Sequence, residues 1–357
     1  YPKNQTGNPT IDKAVRNAYS SDAKDRNGVV TSSKDTNYSG AFDSKSLIVY
    51  NADTAAENKA DTTDAAYVAN RGGYTSANNT EAGKDGKGYS NDFKYDDTTT
   101  ASEGDLLDYR VVSKLPHITS GTTYLSTYAF DDKMAKGMTY NKNAVIAIYD
   151  NKDAADTTNV NNVDKSGAIA VWKTSDTDPK FAVTYGKSGE DSTMKVEMTK
   201  SGLSEINKKY SDKYIVVYYT ADVNTDDTVV LGDKGNPNDV SLTWKRTSTD
   251  YWDILKDKCI VYSFGYNFTK KFSDSKGDAT KVKFVVKNKT DNYYLVARAD
   301  RAGVYQVTGK SAKEADATQF SPSSDGKLVI NGIEGDEYGF TETHSDAGYS
   351  LLKKEVI

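Results

Sequence analysis

The chain has 357 residues, a length that suits two or three domains. Its net charge is −5 with both signs well mixed, which argues against a nucleic-acid partner because such a partner requires a basic face. No apolar run is long enough to span a membrane. Cys259 is the one cysteine, so the sequence excludes an internal disulfide, and its apolar neighbours predict a buried, inert thiol.

Short segments rich in Val, Ile, Tyr, Thr and Phe, separated by Gly, Asn, Asp or Ser, predict β-strands along most of the chain. In chain order these segments lie at 108–113, 144–149, 168–172, 181–185, 215–220, 240–244, 260–264, 282–286, 293–297 and 327–330. One short helix is expected near 202–210. The pattern is typical of an all-β protein made of immunoglobulin-like sandwiches.

Two features of the chain predict its domain organisation. The stretch at 28–104 is rich in Asn, Asp, Thr, Ala and Gly, and is expected to be a polar insertion with some short strands. A boundary is expected at 247–256, after a strand that ends at Trp244. The first domain then covers 1–247 and the second covers 257–357.

Certain polar residues occupy positions where the period-two alternation of a strand places core-facing side chains. They are Lys13, Asp132, Asn238, Lys270 and Glu342. Their neighbours Asp131 and Lys271 share a face with small or polar residues and are expected at the surface. Taken one at a time, each of the five is better explained as an exposed strand-end residue or as half of a buried ion pair.

Taken together, these side chains could carry out one reaction. Burial favours the neutral amine of a lysine, which is a nucleophile, and the protonated form of an acid. Beside an asparagine, the amine can attack the carboxamide carbon while the acid transfers protons and ammonia leaves. The product is a Lys–Asn isopeptide bond that the protein forms once on itself, so the chain is not expected to be an enzyme with an external substrate.

Sequence motifs occur in a fixed order along the chain. They are YPKN at 1–4, PTIDKAV at 9–15, GDLLDYRVVSKLP at 104–116, YAFDDKMAKGMTY at 128–140, GNPNDVSLTW at 235–244, FTKKF at 268–272 and YGFTETHSDAGYSLL from Tyr338. In this order they resemble the motifs of backbone (major) pilins from sortase-assembled pili of Gram-positive bacteria. The resemblance implies two tandem immunoglobulin-like sandwiches, a CnaA-like domain of the fimbrial D2 type followed by a CnaB-like domain.

In the first domain, the resemblance implies that Lys13 is the amine, Asp132 the proton shuttle and Asn238 the electrophile. Asn236 is the alternative electrophile, because it lies two residues before Asn238 and so shares its face of the strand. Pro237 separates it from the apolar run that follows.

In the second domain, the resemblance implies that Lys270 is the amine and Glu342 the catalytic acid. The family's last strand, which carries the partner Asn, is not found in the sequence, and neither is its sorting signal. The family's N-terminal domain does not precede YPKN, so the chain is expected to be a fragment. The segment ETHSDAGY also departs from the Pro-containing version that is usual in the family.

The function that the resemblance implies is structural. Lys3 of YPKN would be the acceptor amine that a pilin-specific sortase joins to the cleaved sorting signal of the preceding subunit, giving a head-to-tail polymer. The implied partners are other copies of the chain, the sortase, tip and base pilins, and host surface ligands. The implied location is extracellular, on the cell surface, and no cofactor or metal is expected.

Two other functions are alternatives to that of a shaft subunit. In a wall-anchored adhesin, the 28–104 insertion would bind a host matrix protein or glycan, but such a protein would not need an acceptor lysine. A secreted hydrolase is not favoured, because His117 and His344 are the only histidines and neither lies in a triad or metal-ligand spacing. The Asp/Asn-rich stretch 150–164 lacks an ordered Ca²⁺ motif and indicates a solvated loop.

Overall fold

The computed structural model describes residues 8–17, 95–121, 124–160, 163–247, 252–289, 293–311 and 313–357. Lys3 and most of the insertion predicted at 28–104 lie outside these ranges. Within them, the helix α1 spans Lys200–Lys209. The strands are β1 (Asp12–Asn17), β2 (Thr98–Thr100), β3 (Leu106–Lys114), β4 (Leu125–Met134), β5 (Met138–Tyr140), β6 (Val145–Tyr149), β7 (Ala170–Lys173), β8 (Phe181–Ser188), β9 (Asp191–Met198), β10 (Tyr214–Val223), β11 (Asn236–Arg246), β12 (Trp252–Tyr262), β13 (Phe264–Thr269), β14 (Lys283–Asn288), β15 (Tyr293–Arg301), β16 (Val304–Ser311), β17 (Lys327–Ile333) and β18 (Tyr338–His344).

These strands form three sheets. Sheet I has the order β1-β3-β10-β6-β7, with β5 also paired to β10, and sheet II has the order β2-β12-β11-β4-β9-β8. Together they make the first unit. Sheet III, with the order β13-β17-β16-β15-β14-β18, makes the second unit. The all-β class expected from the sequence is confirmed, and so is the short helix near 202–210.

Sheets I and II pack against each other around one apolar core. The strand β11 shows why, because Val240, Leu242 and Trp244 are buried while the residues between them are partly or fully exposed. Asn236 and Asn238 continue the same buried face. The alternation therefore carries two amide side chains into the core of the first unit.

The strand β10 is buried on both faces, which explains its nearly continuous apolar sequence. Val217 and Tyr219 face the main core between the sheets. Tyr218 faces the other way, where short 3-10 turns bring Ala155 and Val163 against it. A strand covered on both sides cannot show a polar face.

Sheet III curls so that its two end strands meet. The ring of Tyr266 in β13 stacks on that of Phe340 in β18 with centroids 4.9 Å apart, and Phe268 lies 5.4 Å from Phe340. Near the C-terminus, Val356 pairs with Phe340 through two backbone hydrogen bonds of 2.7 and 3.0 Å. The curled sheet encloses its own apolar core.

The strand β12 lies in the first unit. It pairs with β11 from Trp252 to Val261, and with β2 on its other side. The boundary expected at 247–256 assigns half of this strand to the second domain, whereas the change from sheet II to sheet III occurs at Ser263. Only that residue separates β12 from β13, so no turn signal marks the boundary in the sequence.

No helix in the described part of the chain is both long and apolar enough to cross a membrane.

Candidate cross-linking sites

Three of the polar residues singled out from the sequence meet in the core of the first unit. Lys13 comes from β1 in sheet I, whereas Asp132 and Asn238 come from the neighbouring strands β4 and β11 in sheet II. Their exposed fractions are 0%, 3% and 1%. The strand alternation that selects Asp132 leaves its neighbour Asp131 exposed.

One carboxylate holds both the amine and the amide. The Nζ of Lys13 lies 2.7 Å from Oδ2 of Asp132. The Nδ2 of Asn238 donates a 3.0 Å hydrogen bond to Oδ1 of the same group. Asp132 is therefore placed to exchange protons with both partners of an amide transfer.

Two tyrosines complete this site, and the sequence reasoning missed both. The hydroxyl of Tyr219 lies 2.5 Å from the Lys13 Nζ, 2.8 Å from Asp132 Oδ2 and 3.3 Å from Asn238 Oδ1. Tyr140 donates a hydrogen bond to Asp132 Oδ1. Burial, and then the charge of Asp132, raises the pKa of Tyr219 and of Tyr140 well above the usual range, so both phenols keep their protons. A tyrosine is an ordinary core residue of a strand, so the period-two alternation of the strands did not single out either residue as part of a site.

Aromatic rings enclose the amine of Lys13. The rings of Tyr109 and Tyr219 stack in parallel with centroids 5.1 Å apart. The Nζ of Lys13 lies 5.2 Å from the first centroid and 4.9 Å from the second. Such rings exclude water and still attract a cation through their faces.

Cys259 lies opposite Asn238 across the pairing of β11 with β12 and is 1% exposed. Burial raises the pKa of its thiol to about 12, against a smaller lowering by the nearby charge of Lys13. The thiol is therefore protonated at neutral pH, as expected of an inert core cysteine.

Asn236, the alternative electrophile, is bonded elsewhere. Its Oδ1 accepts from the backbone N–H of Val230, and its Nδ2 donates to the carbonyls of Val230 and Val261. These contacts fix a loop against the end of β11. The geometry brings Asn238, and not Asn236, to the carboxylate of Asp132 that also holds Lys13.

Lys270 and Glu342 meet in the second unit. The Nζ of Lys270 lies 3.3 Å from Oε2 of Glu342, and their side chains are 12% and 0% exposed. Glu342 Oε1 is buried without a hydrogen-bond partner among the described residues. Lys270 lies just beyond β13, which ends at Thr269, and its backbone N–H bonds to the carbonyl of Gly326. Lys271 is exposed, as expected from its place on the opposite strand face from Lys270.

No described asparagine hydrogen-bonds to this second pair, so it lacks the third member found in the first unit.

The histidines lie away from both sites. His117 is exposed and its Nδ1 is 2.7 Å from Asp212, and His344 is exposed at the end of β18. Within the described ranges, no group of three His, Cys, Asp or Glu residues is placed to hold a metal ion.

No protein-family model matches the sequence, and a search of curated proteins found no match either. Among solved structures, the 35 kDa C-terminal fragment of the major pilin GBS80 from Streptococcus agalactiae matches with a TM-score of 0.50 and 17% identity. The match covers 73% of this chain and 86% of that fragment. This chain has the fold of a major pilin.

Two other major pilins match with lower scores. The T6 backbone pilin of Streptococcus pyogenes has a TM-score of 0.46 and 16% identity over 72% of this chain. The match covers 48% of that pilin, so the chain spans about half its length. The pilus 2b backbone protein of group B streptococcus has a TM-score of 0.48 and 20% identity, over 72% of this chain and 86% of its own.

Proposed function

We propose that this chain is the structural shaft subunit of a covalently polymerised pilus on a Gram-positive cell surface, and that it stabilises itself with an internal Lys–Asn isopeptide bond. One observation carries the proposal. A buried carboxylate, Asp132, holds the amine of Lys13 and the amide of Asn238 on its two oxygens. This arrangement lies inside a fold shared with a major pilin.

The proposed reaction begins when the Nζ of Lys13 passes a proton to Asp132 across 2.7 Å. The neutral amine attacks Cγ of Asn238 and forms an Nζ–Cγ bond. Negative charge develops on Oδ1 of Asn238, where the hydroxyl of Tyr219 can donate a hydrogen bond. Asp132 gives a proton to Nδ2 and takes one from Nζ, the Cγ–Nδ2 bond breaks, and ammonia leaves. The carboxyl group ends protonated, with the extra proton that the ammonium group carried at the start.

The position of the bond suits a subunit under tension. Lys13 lies in β1 of sheet I, and Asn238 lies in β11 of sheet II, near the two ends of the first unit in sequence. A covalent link here would join the two sheets and close a loop containing nearly the whole unit. By the loop-entropy argument used for disulfides, such a closure is worth about 5 kcal/mol. With one cysteine in the chain, no disulfide can replace it.

We propose a corresponding role for the second pair, with Lys270 as the amine and Glu342 as the acid. Their 3.3 Å contact and their burial support this role. The asparagine that would react with Lys270 is not among the described residues that contact it. Between subunits, a pilin-specific sortase would join Lys3 to the preceding chain, with tip and base pilins at the ends of the polymer and host surface ligands as its targets.

The experiment that tests this proposal is an intact mass of the folded protein compared with that of Lys13→Ala. For each protein, the measured mass is subtracted from the mass calculated from its sequence. We expect this deficit to be larger by one ammonia in the wild type than in Lys13→Ala. Asp132→Ala should lose the same ammonia deficit, and Asp131→Ala, which changes the exposed neighbour, should retain it. If the wild type and Lys13→Ala depart equally from their calculated masses, the internal bond does not exist.

A further inference from the structure

A second buried cluster of lysine, asparagine and carboxylate lies where the two units meet. Asn17 is the last residue of β1 in sheet I, Asp105 immediately precedes β3, and Lys310 belongs to β16 in sheet III. Asn17 and Asp105 are each 1% exposed, and the side chain of Lys310 is 2% exposed. None of the sequence motifs pointed to these three residues as a site.

The geometry of this cluster repeats that of the first site. The Nζ of Lys310 lies 2.7 Å from Oδ1 of Asp105, and the Nδ2 of Asn17 donates a 3.0 Å hydrogen bond to Oδ2. The corresponding distances from Lys13 and Asn238 to their shared carboxylate are also 2.7 and 3.0 Å. In both places one carboxylate holds an amine on one oxygen and an asparagine amide on the other.

The surroundings also correspond. The Nζ of Lys310 lies 4.3 Å from the ring centroid of Tyr293, as the Nζ of Lys13 lies over the ring of Tyr219. A second carboxylate, that of Glu334, approaches the same two groups, at 3.4 Å from the Lys310 Nζ and 3.3 Å from the Asn17 Nδ2. The hydroxyl of Tyr293 donates a hydrogen bond to Glu334.

Backbone contacts hold the two sides of the cluster together. The N–H of Glu103 donates to the carbonyl of Gly332 at 3.0 Å, and the N–H of Glu334 donates to the Ser102 hydroxyl at 3.1 Å. The N–H of Ser102 donates to Asp105 Oδ2 at 2.9 Å and so fixes the carboxylate. The segment 102–105 of the first unit is thus bonded directly to the segment 332–334 of the second.

We propose that Lys310 forms an isopeptide bond with Asn17, with Asp105 as the proton carrier, and that this bond joins the two units covalently. The Nζ of Lys310 gives a proton to Asp105 and attacks Cγ of Asn17. An Nζ–Cγ bond forms, Asp105 gives its proton to Nδ2 and takes a second one from Nζ, the Cγ–Nδ2 bond breaks, and ammonia leaves, so that Asp105 ends protonated. No oxidant or co-reactant is required. The site shares no residue with the Lys13 site, so either bond can form without the other.

Asn288 approaches the carboxylate of Glu334, which Lys310 also approaches. Its Nδ2 lies 3.3 Å from Glu334 Oε1, 2.8 Å from Asp336 Oδ2 and 3.0 Å from the Tyr293 hydroxyl. These contacts direct it to the carboxylates of the second unit, whereas Asp105, the carboxylate at 2.7 Å from Lys310, binds Asn17. Asn17 is therefore the partner we assign, and the resulting bond crosses between the units.

The test is peptide mapping by tandem mass spectrometry of the whole folded protein after denaturation and trypsin digestion. We expect a branched peptide that contains both Asn17 and Lys310 and is lighter by one ammonia than its two parts. Intact mass should show two ammonia losses in the wild type, one in Lys13→Ala, one in Lys310→Arg and none in the double variant. Lys310→Arg keeps a cation beside Asp105 but removes the nucleophilic amine.

Two other outcomes would overturn the proposal, and a third separates it from the proposal for the first site. Unlinked peptides carrying Asn17 and Lys310 in the wild type would mean that the cluster is only a buried ion-pair network. A branched peptide joining Lys310 to Asn288 would place the bond within the second unit. Loss of the Lys13 bond with retention of the Asn17–Lys310 peptide would refute the first site and leave this one intact. The wild-type peptide map decides the matter even if a variant fails to fold.

Discussion

The hydroxyl of Tyr219 lies 3.3 Å from the carboxamide oxygen of Asn238. Burial and the nearby charge of Asp132 raise the pKa of Tyr219 well above its usual range, so this hydroxyl remains a hydrogen-bond donor at neutral pH. Attack of Lys13 on Cγ of Asn238 places negative charge on that oxygen. The tyrosine is thus placed to stabilise the tetrahedral intermediate of the proposed reaction.

We therefore expect Tyr219→Phe to slow formation of the Lys13–Asn238 bond by about 10²-fold, the usual effect of removing one oxyanion donor. The measurement is intact mass against time after synthesis or refolding, which follows the loss of ammonia. Tyr218→Phe is the matched control, because the hydroxyl of Tyr218 bonds to Tyr149 and Ala155 on the opposite face of β10. Equal rates for Tyr219→Phe and the wild type would exclude this role.

Removal of the amine from the first site should lower stability strongly. Lys13→Met keeps the length and apolar stem of the side chain but cannot form the bond, so the free energy of unfolding should fall by about 5 kcal/mol through lost loop closure. Denaturant unfolding followed by fluorescence measures the change. Lys133→Met, at an exposed position of β4, is the control and should stay within about 0.5 kcal/mol of the wild type.

The stability of the protein should depend on pH through Glu103. Burial raises the pKa of Glu103 to about 7 from an ordinary value of 4.5, and a hydrogen bond from Gln306 lowers it by less. The folded state then binds the proton more tightly than the unfolded state. The contribution of Glu103 to stability therefore falls as pH rises from 4.5 to about 7, and is constant outside that window.

We expect Glu103→Gln to remove this part of the pH dependence and to be more stable than the wild type above pH 7, because the amide does not ionise. Thermal unfolding at a series of pH values measures it. Glu197→Gln, which changes an exposed residue of β9, should leave the wild-type profile unchanged. A Glu103→Gln profile parallel to that of the wild type would contradict the assignment.

The junction between the units should not tolerate a side chain at Gly332. Its φ is +94°, and a Cβ placed there would lie 2.0 Å from Oε2 of Glu103. Gly332→Ala should lower the melting temperature by more than backbone strain alone explains, because the contact with segment 102–105 must open. Gly348→Ala is a matched control, since its φ is +87° and nothing lies within 4 Å of the added Cβ. Equal losses in the two variants would mean that strain, and not the clash, is the cause.

Polymerisation should depend on Lys3. In cells that carry the pilin-specific sortase, Lys3→Ala should abolish the ladder of high-mass species on denaturing gels of cell-wall extracts. Lys271→Ala, which removes an exposed lysine outside the motif, should leave the ladder intact. A ladder that persists in Lys3→Ala would favour another acceptor residue.

The sequence by itself determined the all-β class, the helix at Lys200–Lys209 and the buried faces of the strands. These features are local, because the period of a strand fixes which side chains share a face. The period-two alternation of side chains along a strand was enough to separate buried Asp132 from exposed Asp131 and to identify Asn238 as a core-facing residue. The motif order also indicated the pilin fold that the comparison with GBS80 bears out.

Only the tertiary structure decided which buried groups touch. Tyr219, which completes the Lys13 site, is an ordinary core residue until sheet I packs against sheet II. The same holds for the unit boundary at Ser263, which depends on pairing between β12 and β11, and for the meeting of Asn17 and Lys310 at Asp105. The contacts of Lys13 with Tyr219 and of Asn17 and Lys310 with Asp105 join residues distant in sequence, and their geometry is set by sheet packing that local periodicity cannot encode.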